Sequence, residues 1–161
     1  MSREQLFQVV TKGNDAAQEF LTRTIIAFHV WDDLIDQDHD VDPKEITKAF
    51  FHAFVGLPTN DFYTANFAHL FPILANAITN WLAANEMERH PQGPLDTEIA
   101  FIIRSEYINL IIETARLCGG HEWAQDVTTA VRRFSHAEGY TGYLAALQAE
   151  KEARDARNQT Q

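Results

Sequence analysis

Arg23-Thr24-Ile25-Ile26-Ala27-Phe28-His29-Val30-Trp31-Asp32-Asp33-Leu34-Ile35-Asp36-Gln37-Asp38 runs from apolar residues at helical spacing straight into four aspartates. Residues four apart share one face of a helix. Asp32 therefore stacks on Asp36, His29 stacks on Asp33, and Asp33 flanks the first pair. Like charges at that spacing destabilise a helix. The cluster also sits in the last turns, where free carbonyls already present partial negative charge. Solvent, a basic group or a divalent cation has to compensate, and the choice among them bears on function.

Working outward, Ala17, Phe20, Leu21, Thr24, Ile25, Phe28, Trp31 and Ile35 trace one apolar face, which predicts a helix from a cap at Asn14 or Asp15 to about Asp38. A short helix over 3–11, closed by Gly13, precedes it. Asp42-Pro43-Lys44-Glu45 predicts the next start, with Asp42 as N-cap, Pro43 in the first turn and Glu45 completing a capping box. That helix runs to about Val55 and stops at Gly56-Leu57-Pro58. Asn60 caps another, from Asp61 to about Arg89, which Pro72 is expected to divide. His90-Pro91-Gln92-Gly93-Pro94 is a loop. From Leu95 to Leu117 apolar residues cover most of the circumference, which predicts a central buried helix ending at Gly119-Gly120. Helices over 121–137 and 140–157 follow, with a tail expected to fray from about residue 153. The fold class is all-α: one domain over 1–161, a compact bundle of about six to seven helices.

The chain has 161 residues, 45% of them hydrophobic, and a net charge of −10. The length supports one core, and the charge argues against nucleic acid or an anionic membrane as partner. No apolar run approaches a membrane span and no signal-peptide core is visible. The single cysteine, Cys118, has no partner for an internal disulfide and fits a reducing compartment. A cytoplasmic protein is expected.

Polar residues on apolar helices need partners. Ser105, Asn109 and Glu113 fall at i, i+4 and i+8, with Arg104 beside them and Arg116 one turn on. Asn76 and Asn80 make a shorter stripe after Pro72. If both stripes face inward, they share a polar interior with the aspartates. Such an interior suits Mg²⁺, a hard cation that takes several oxygen ligands. Asp32, Asp33 and Asp36 would hold metal from one wall, and Ser105, Asn109 and Glu113 from the other. A diphosphate would bridge the ions, with Arg104, Arg116, Arg132 or Arg133 neutralising the remaining charge.

Asp32-Asp33-Leu34-Ile35-Asp36 is a DDxxD sequence at the end of an apolar helix. It resembles the first aspartate-rich motif of the all-α class I isoprenoid (terpenoid) synthases, and the lead-in from Arg23 to His29 is most similar to the squalene/phytoene synthase branch. Ser105-Asn109-Glu113 resembles the second metal motif of terpene cyclases in spacing, with its first two residue types exchanged. The resemblance implies Asp32 and Asp36 as main metal ligands on one wall and Asn109 and Glu113 on the other. It implies a diphosphate-bearing, isoprenoid-type ligand, with diphosphate eliminated if the protein is an enzyme. Trp31 and Trp81 would line a pocket for the prenyl chain. The chain is about half as long as those enzymes, its two motifs are closer together, and Arg132-Arg133-Phe134 is its nearest match to the cyclase Arg-Tyr pair.

Other readings compete. The aspartates can be a solvated helix end, the stripes interhelical hydrogen bonds, and His29 a packed histidine bonded to Asp33 or a carbonyl. His39-Asp40 matches two letters of a metal phosphohydrolase motif, without the other histidines. An all-α nucleotide pyrophosphohydrolase would also use clustered acids and Mg²⁺, but convincing ExxE and ExxD pairs are missing. The alternative of a different class is a non-catalytic interaction protein on a related helical scaffold, resembling small bacteriophage proteins in its general look, whose acidic patch binds a basic partner.

Overall fold

The computed structural model describes residues 1–37, 40–137 and 139–159. Asp38 and His39, and with them the fourth aspartate and the His39-Asp40 motif, lie outside these. Among the described residues the chain is all-α, as expected. The elements are α1 (Arg3–Val10), α2 (Asp15–Asp36), α3 (Pro43–Phe51), a π-helical turn (His52–Gly56), α4 (Asp61–Ala65), α5 (Phe67–Arg89), α6 (Asp96–Ile103), α7 (Ile108–Ser135) and α8 (Gly139–Gln159).

The helix starts follow side-chain capping. Ser2 and Gln5 form the reciprocal capping box of α1, and the Ala17 amide donates to Asn14 Oδ1 at 3.0 Å. Asp42 caps α3, but through the Lys44 amide at 2.9 Å, one residue short of the box expected with Glu45. Asn60 is 2% exposed and works at both ends. Its Oδ1 accepts from the Tyr63 amide at 2.9 Å, and its Nδ2 donates to the Ala16 carbonyl at 2.9 Å. It thus starts α4 and ties it to α2.

Two expected helices are interrupted elsewhere than predicted. Residues 61–89 divide at Asn66 and not at Pro72, which continues inside α5. The Asn66 side chain donates to the Phe62 carbonyl at 2.8 Å and closes α4 there, so Pro72 falls just past the first turn of α5. Residues 95–117 also divide. The amides of Ser105, Glu106 and Ile108 bond three residues back, to Ile102, Ile103 and Ser105, which tightens and redirects the chain. α6 is therefore not central: Leu95, Ile99 and Ile102 are exposed. Gly120, at φ +86°, breaks the course of α7 while helix continues on both sides. A methyl group on the neighbouring Gly119 would overlap the Trp123 side chain. The last helix, α8, extends to Gln159.

The central element is α7. Ile108, Leu110, Ile111, Ala115, Val127 and Val131 pack with Leu6, Phe7 and Val10 of α1, Phe20, Leu21 and Ile25 of α2, and Leu70 of α5. Phe20 stacks on Tyr63 with centroids 5.4 Å apart. The Trp123 indole donates to the Val10 carbonyl at 3.0 Å, locking α1 onto α7. This core fixes the N-terminal part of α2 and leaves its acidic C-terminal turns against α5, α6 and α8.

α5 is the one helix among the described residues whose length and composition match a membrane span. Its most apolar window has a mean hydropathy of only 1.2, and it carries His69, Asn76 and Asn80.

Candidate functional site

The acidic end of α2 is compensated from within the chain. The Trp81 indole of α5 donates to Asp32 Oδ1 at 2.7 Å. Arg104, from the turn after α6, lies 3.6 Å from Asp32 and 3.2 Å from Glu88. Arg89 lies 3.7 Å from Asp36. Tyr143 of α8 donates its hydroxyl to Glu88 at 2.7 Å, and the Arg104 guanidinium sits over its ring, 5.6 Å from the centroid. The tight turn at 104–107 makes this arrangement. It points Arg104 at the acids while sending Ile108, Leu110 and Ile111 into the core.

These groups surround a cavity of about 300 Å³. His29 and Asp32 of α2, Trp81, Arg104, Ser105 and Glu150 line it, with Phe28, Phe101, Tyr107 and Tyr143 as aromatic walls. Four carboxylates, Asp32, Asp36, Glu88 and Glu150, interact with two guanidiniums. Negative charge is in excess, and the titration of the acids reflects it. Burial, and then the charge of Asp32, pushes Asp36 up to about 6. Burial, and then Asp36, pushes Glu150 up to about 7. Burial opposes the charge on Arg104, but Glu88, Asp32 and Glu150 together raise its pKa. Burial lowers the pKa of His29, and Arg3 adds to that effect.

Two acceptors around the cavity have no hydrogen-bond partner among the described residues. Among the described residues, Glu150 makes no hydrogen bond or ion pair. The buried Nε2 of His136 has no partner, while its Nδ1 lies 3.0 Å from the Arg132 carbonyl. A neutral ring donating from Nδ1 to that carbonyl leaves Nε2 as a lone-pair acceptor.

The residues expected on the second wall sit differently. Ser105 lines the cavity, but it belongs to the turn before α7 and shares no helical stripe with Asn109 and Glu113. Asn109 bonds Glu106 and accepts from Arg132 at 2.9 Å. Glu113 forms a two-point pair with Arg116, at 2.8 and 2.5 Å, and lies 3.9 Å from His69. Neither lines the cavity. Two of the expected diphosphate-binding arginines, Arg132 and Arg116, are thus held by two of the expected metal ligands, Asn109 and Glu113. Arg133 is exposed. Asn76 is exposed and Asn80 half-buried, because α5 buries Leu70, Ala77, Trp81, Ala84 and Asn85; the inward polar group of this helix is Asn85. Asp33 does not line the cavity, and its charge acts on His29.

The sequence reading passed over Glu88, Tyr143, His136 and Glu150. A signal existed for two of them: Tyr143, Ala146 and Glu150 fall at i, i+3 and i+7, which puts Glu150 on the apolar face of α8.

A second cavity, of about 370 Å³ and almost wholly apolar, lies between α2, α3, the π-helical turn and α5. Phe28 lines both cavities. Trp31 faces the apolar one and packs on Trp81 of the acidic one, with ring centroids 4.2 Å apart.

As arranged, the acids do not form a fitting site for Mg²⁺. One Asp32 oxygen, Oδ1, is taken by an indole and a guanidinium, and among the described residues no three His, Cys, Asp or Glu side chains converge on one point.

No family model, curated protein or solved structure matches the chain.

Proposed function

We propose that this chain is a non-catalytic binding protein whose acid-rich cavity accepts an organic ammonium group, carried by a small ligand or by a lysine of a partner. The unpaired Glu150 carboxylate carries the reading. It lines an aromatic-walled cavity that already holds more acids than arginines. An ammonium offers donors to that carboxyl and presents its charge to aromatic faces, as cation recognition commonly does. A bare diphosphate would meet repulsion there.

A second reading keeps Mg²⁺ and a diphosphate-bearing, isoprenoid-type ligand. What favours it is Phe28, shared between the acidic cavity and the apolar one, so that a charged head and an apolar chain would sit side by side. The acids would have to turn away from Trp81 and Arg104 to bind metal.

Thermal unfolding separates the two readings. Benzylammonium should raise the melting temperature of the wild type and leave Glu150→Gln unmoved. A rise with Mg²⁺ and inorganic diphosphate, lost in Asp32→Asn and absent with benzylammonium, would transfer support to the second reading. No shift with either probe would sink both.

A further inference from the structure

We infer that the aromatic face formed by α3, the π-helical turn and α5 is a docking surface for a second copy of this chain. On α5, Phe67, Phe71, Ile78 and Leu82 are 48%, 49%, 38% and 54% exposed. At 100° per residue they fall within one narrow stripe, together with Leu74. Only 22% of the helix's most apolar window is buried. Across the apolar groove stand Phe50, 53% exposed, and Phe54, 71% exposed, with ring centroids 5.7 Å apart. The two sides form one surface. Phe50, Phe54, Leu74 and Ile78 line the same groove, and Tyr63 on its wall meets Phe67 edge-on at 5.6 Å.

Three observations select a second copy as the occupant. The first is area. Six side chains about half exposed present roughly 600 Å², so two copies would together bury about 1,200 Å², the lower bound for a specific stable interface. A monomer's largest apolar patch is usually about 300–600 Å². The second is charge. The chain carries −10 overall, so most faces of two copies repel, yet α5 has no charged residue from Phe67 to Asn85. The third is shape. A two-fold interface needs a patch complementary to itself. Here the most exposed aromatic, Phe54, stands at the rim of a groove of about 370 Å³. Around a two-fold axis, each Phe54 enters the groove of the other copy.

Sedimentation equilibrium on the full chain tests this. The wild type should sediment as two chains at tens of micromolar. Phe54→Asp with Phe71→Asp should sediment as one chain with an unchanged far-ultraviolet circular dichroism spectrum, since both side chains are exposed. Leu82→Asp should weaken the dimer by itself. Glu150→Gln should remain dimeric, because the acidic cavity lies outside this face. A wild type that stays monomeric overturns the inference, as does a double variant that stays dimeric. Binding of the monomer to phosphatidylcholine vesicles would instead assign the face to lipid.

Discussion

Lowering the pH from about 7.5 to about 5 should stabilise this protein through Asp36 and Glu150. Asp36 is raised from 3.8 to about 6 and Glu150 from 4.5 to about 7. A carboxyl with a raised pKa binds its proton more tightly folded than unfolded. The folding penalty is fully present above the folded values, shrinks as pH falls through about 7 and 6, and is gone near pH 4. Taken alone, each shift converts to about 3 kcal/mol. Two features reduce the sum. Both groups are partly open to solvent, which screens their interactions, and protonating Asp36 removes one cause of the Glu150 shift. About 2 kcal/mol in total is expected, or roughly 5 °C in melting temperature for a chain of this size. His29 and His52, both held neutral by burial, oppose the trend below about pH 6.5. The decisive quantity is therefore the difference between wild type and Asp36→Asn with Glu150→Gln, followed by thermal unfolding across this pH range. The double variant should be more stable near pH 7.5 and should lose that advantage by pH 5. Parallel profiles for the two proteins would refute the reasoning.

Arg104→Met should destabilise by about 3 kcal/mol, read by urea unfolding, because it leaves the nearly buried Glu88 without its cation and takes one of two partners from the half-buried Asp32. Asn60→Ala should cost about 2 kcal/mol by the same assay, through loss of both the α4 cap and the bond to the Ala16 carbonyl; Asp42→Ala, an exposed cap with one bond, should cost less. Gly120→Ala should lower stability by at least about 1 kcal/mol, since its φ of +86° is strained for a residue with a side chain.

The fold was legible wherever a local signal was strong. Asn14, Asp42 and Asn60 were visible as helix starts, and the apolar period of α2 gave its length. Pro72 misled, because a proline marks a break only when no nearer side chain ends the helix first, and Asn66 does so. The run from Leu95 to Leu117 misled for a related reason. An apolar circumference reads the same whether the chain goes straight or turns, and the turn at 104–107 is fixed by the tertiary pairing of Arg104 with acids on α2 and α5. That same pairing explains the partial reading of the site. The need for compensation at Asp32 and Asp36 was evident from spacing alone. The partners are an indole and two arginines at sequence distances that no period connects. Glu150 was hidden because its neighbours in sequence are charged and read as solvated tail.

The π-helical turn has a consequence for how this surface tolerates insertions and deletions. The Leu57 amide reaches back five residues to His52 at 2.8 Å, one more than an α-helix allows, and the extra residue sits in a single wide turn. The Arg23 guanidinium donates to the freed Gly56 carbonyl at 2.5 Å, so the wide turn is tied to α2 from outside. Deleting one residue, Ala53 for instance, would let this segment close up as ordinary helix without breaking either flank. The wide turn already absorbs that residue, so its removal would leave Phe50 before it and Leu57 after it in their present relation to the core. The change would be local: the Gly56 carbonyl would rejoin the helical ladder and give up the Arg23 guanidinium, and only the side chains of the turn itself would be re-aimed. The turn is therefore the place where this surface can lose a residue while the core beneath is left alone.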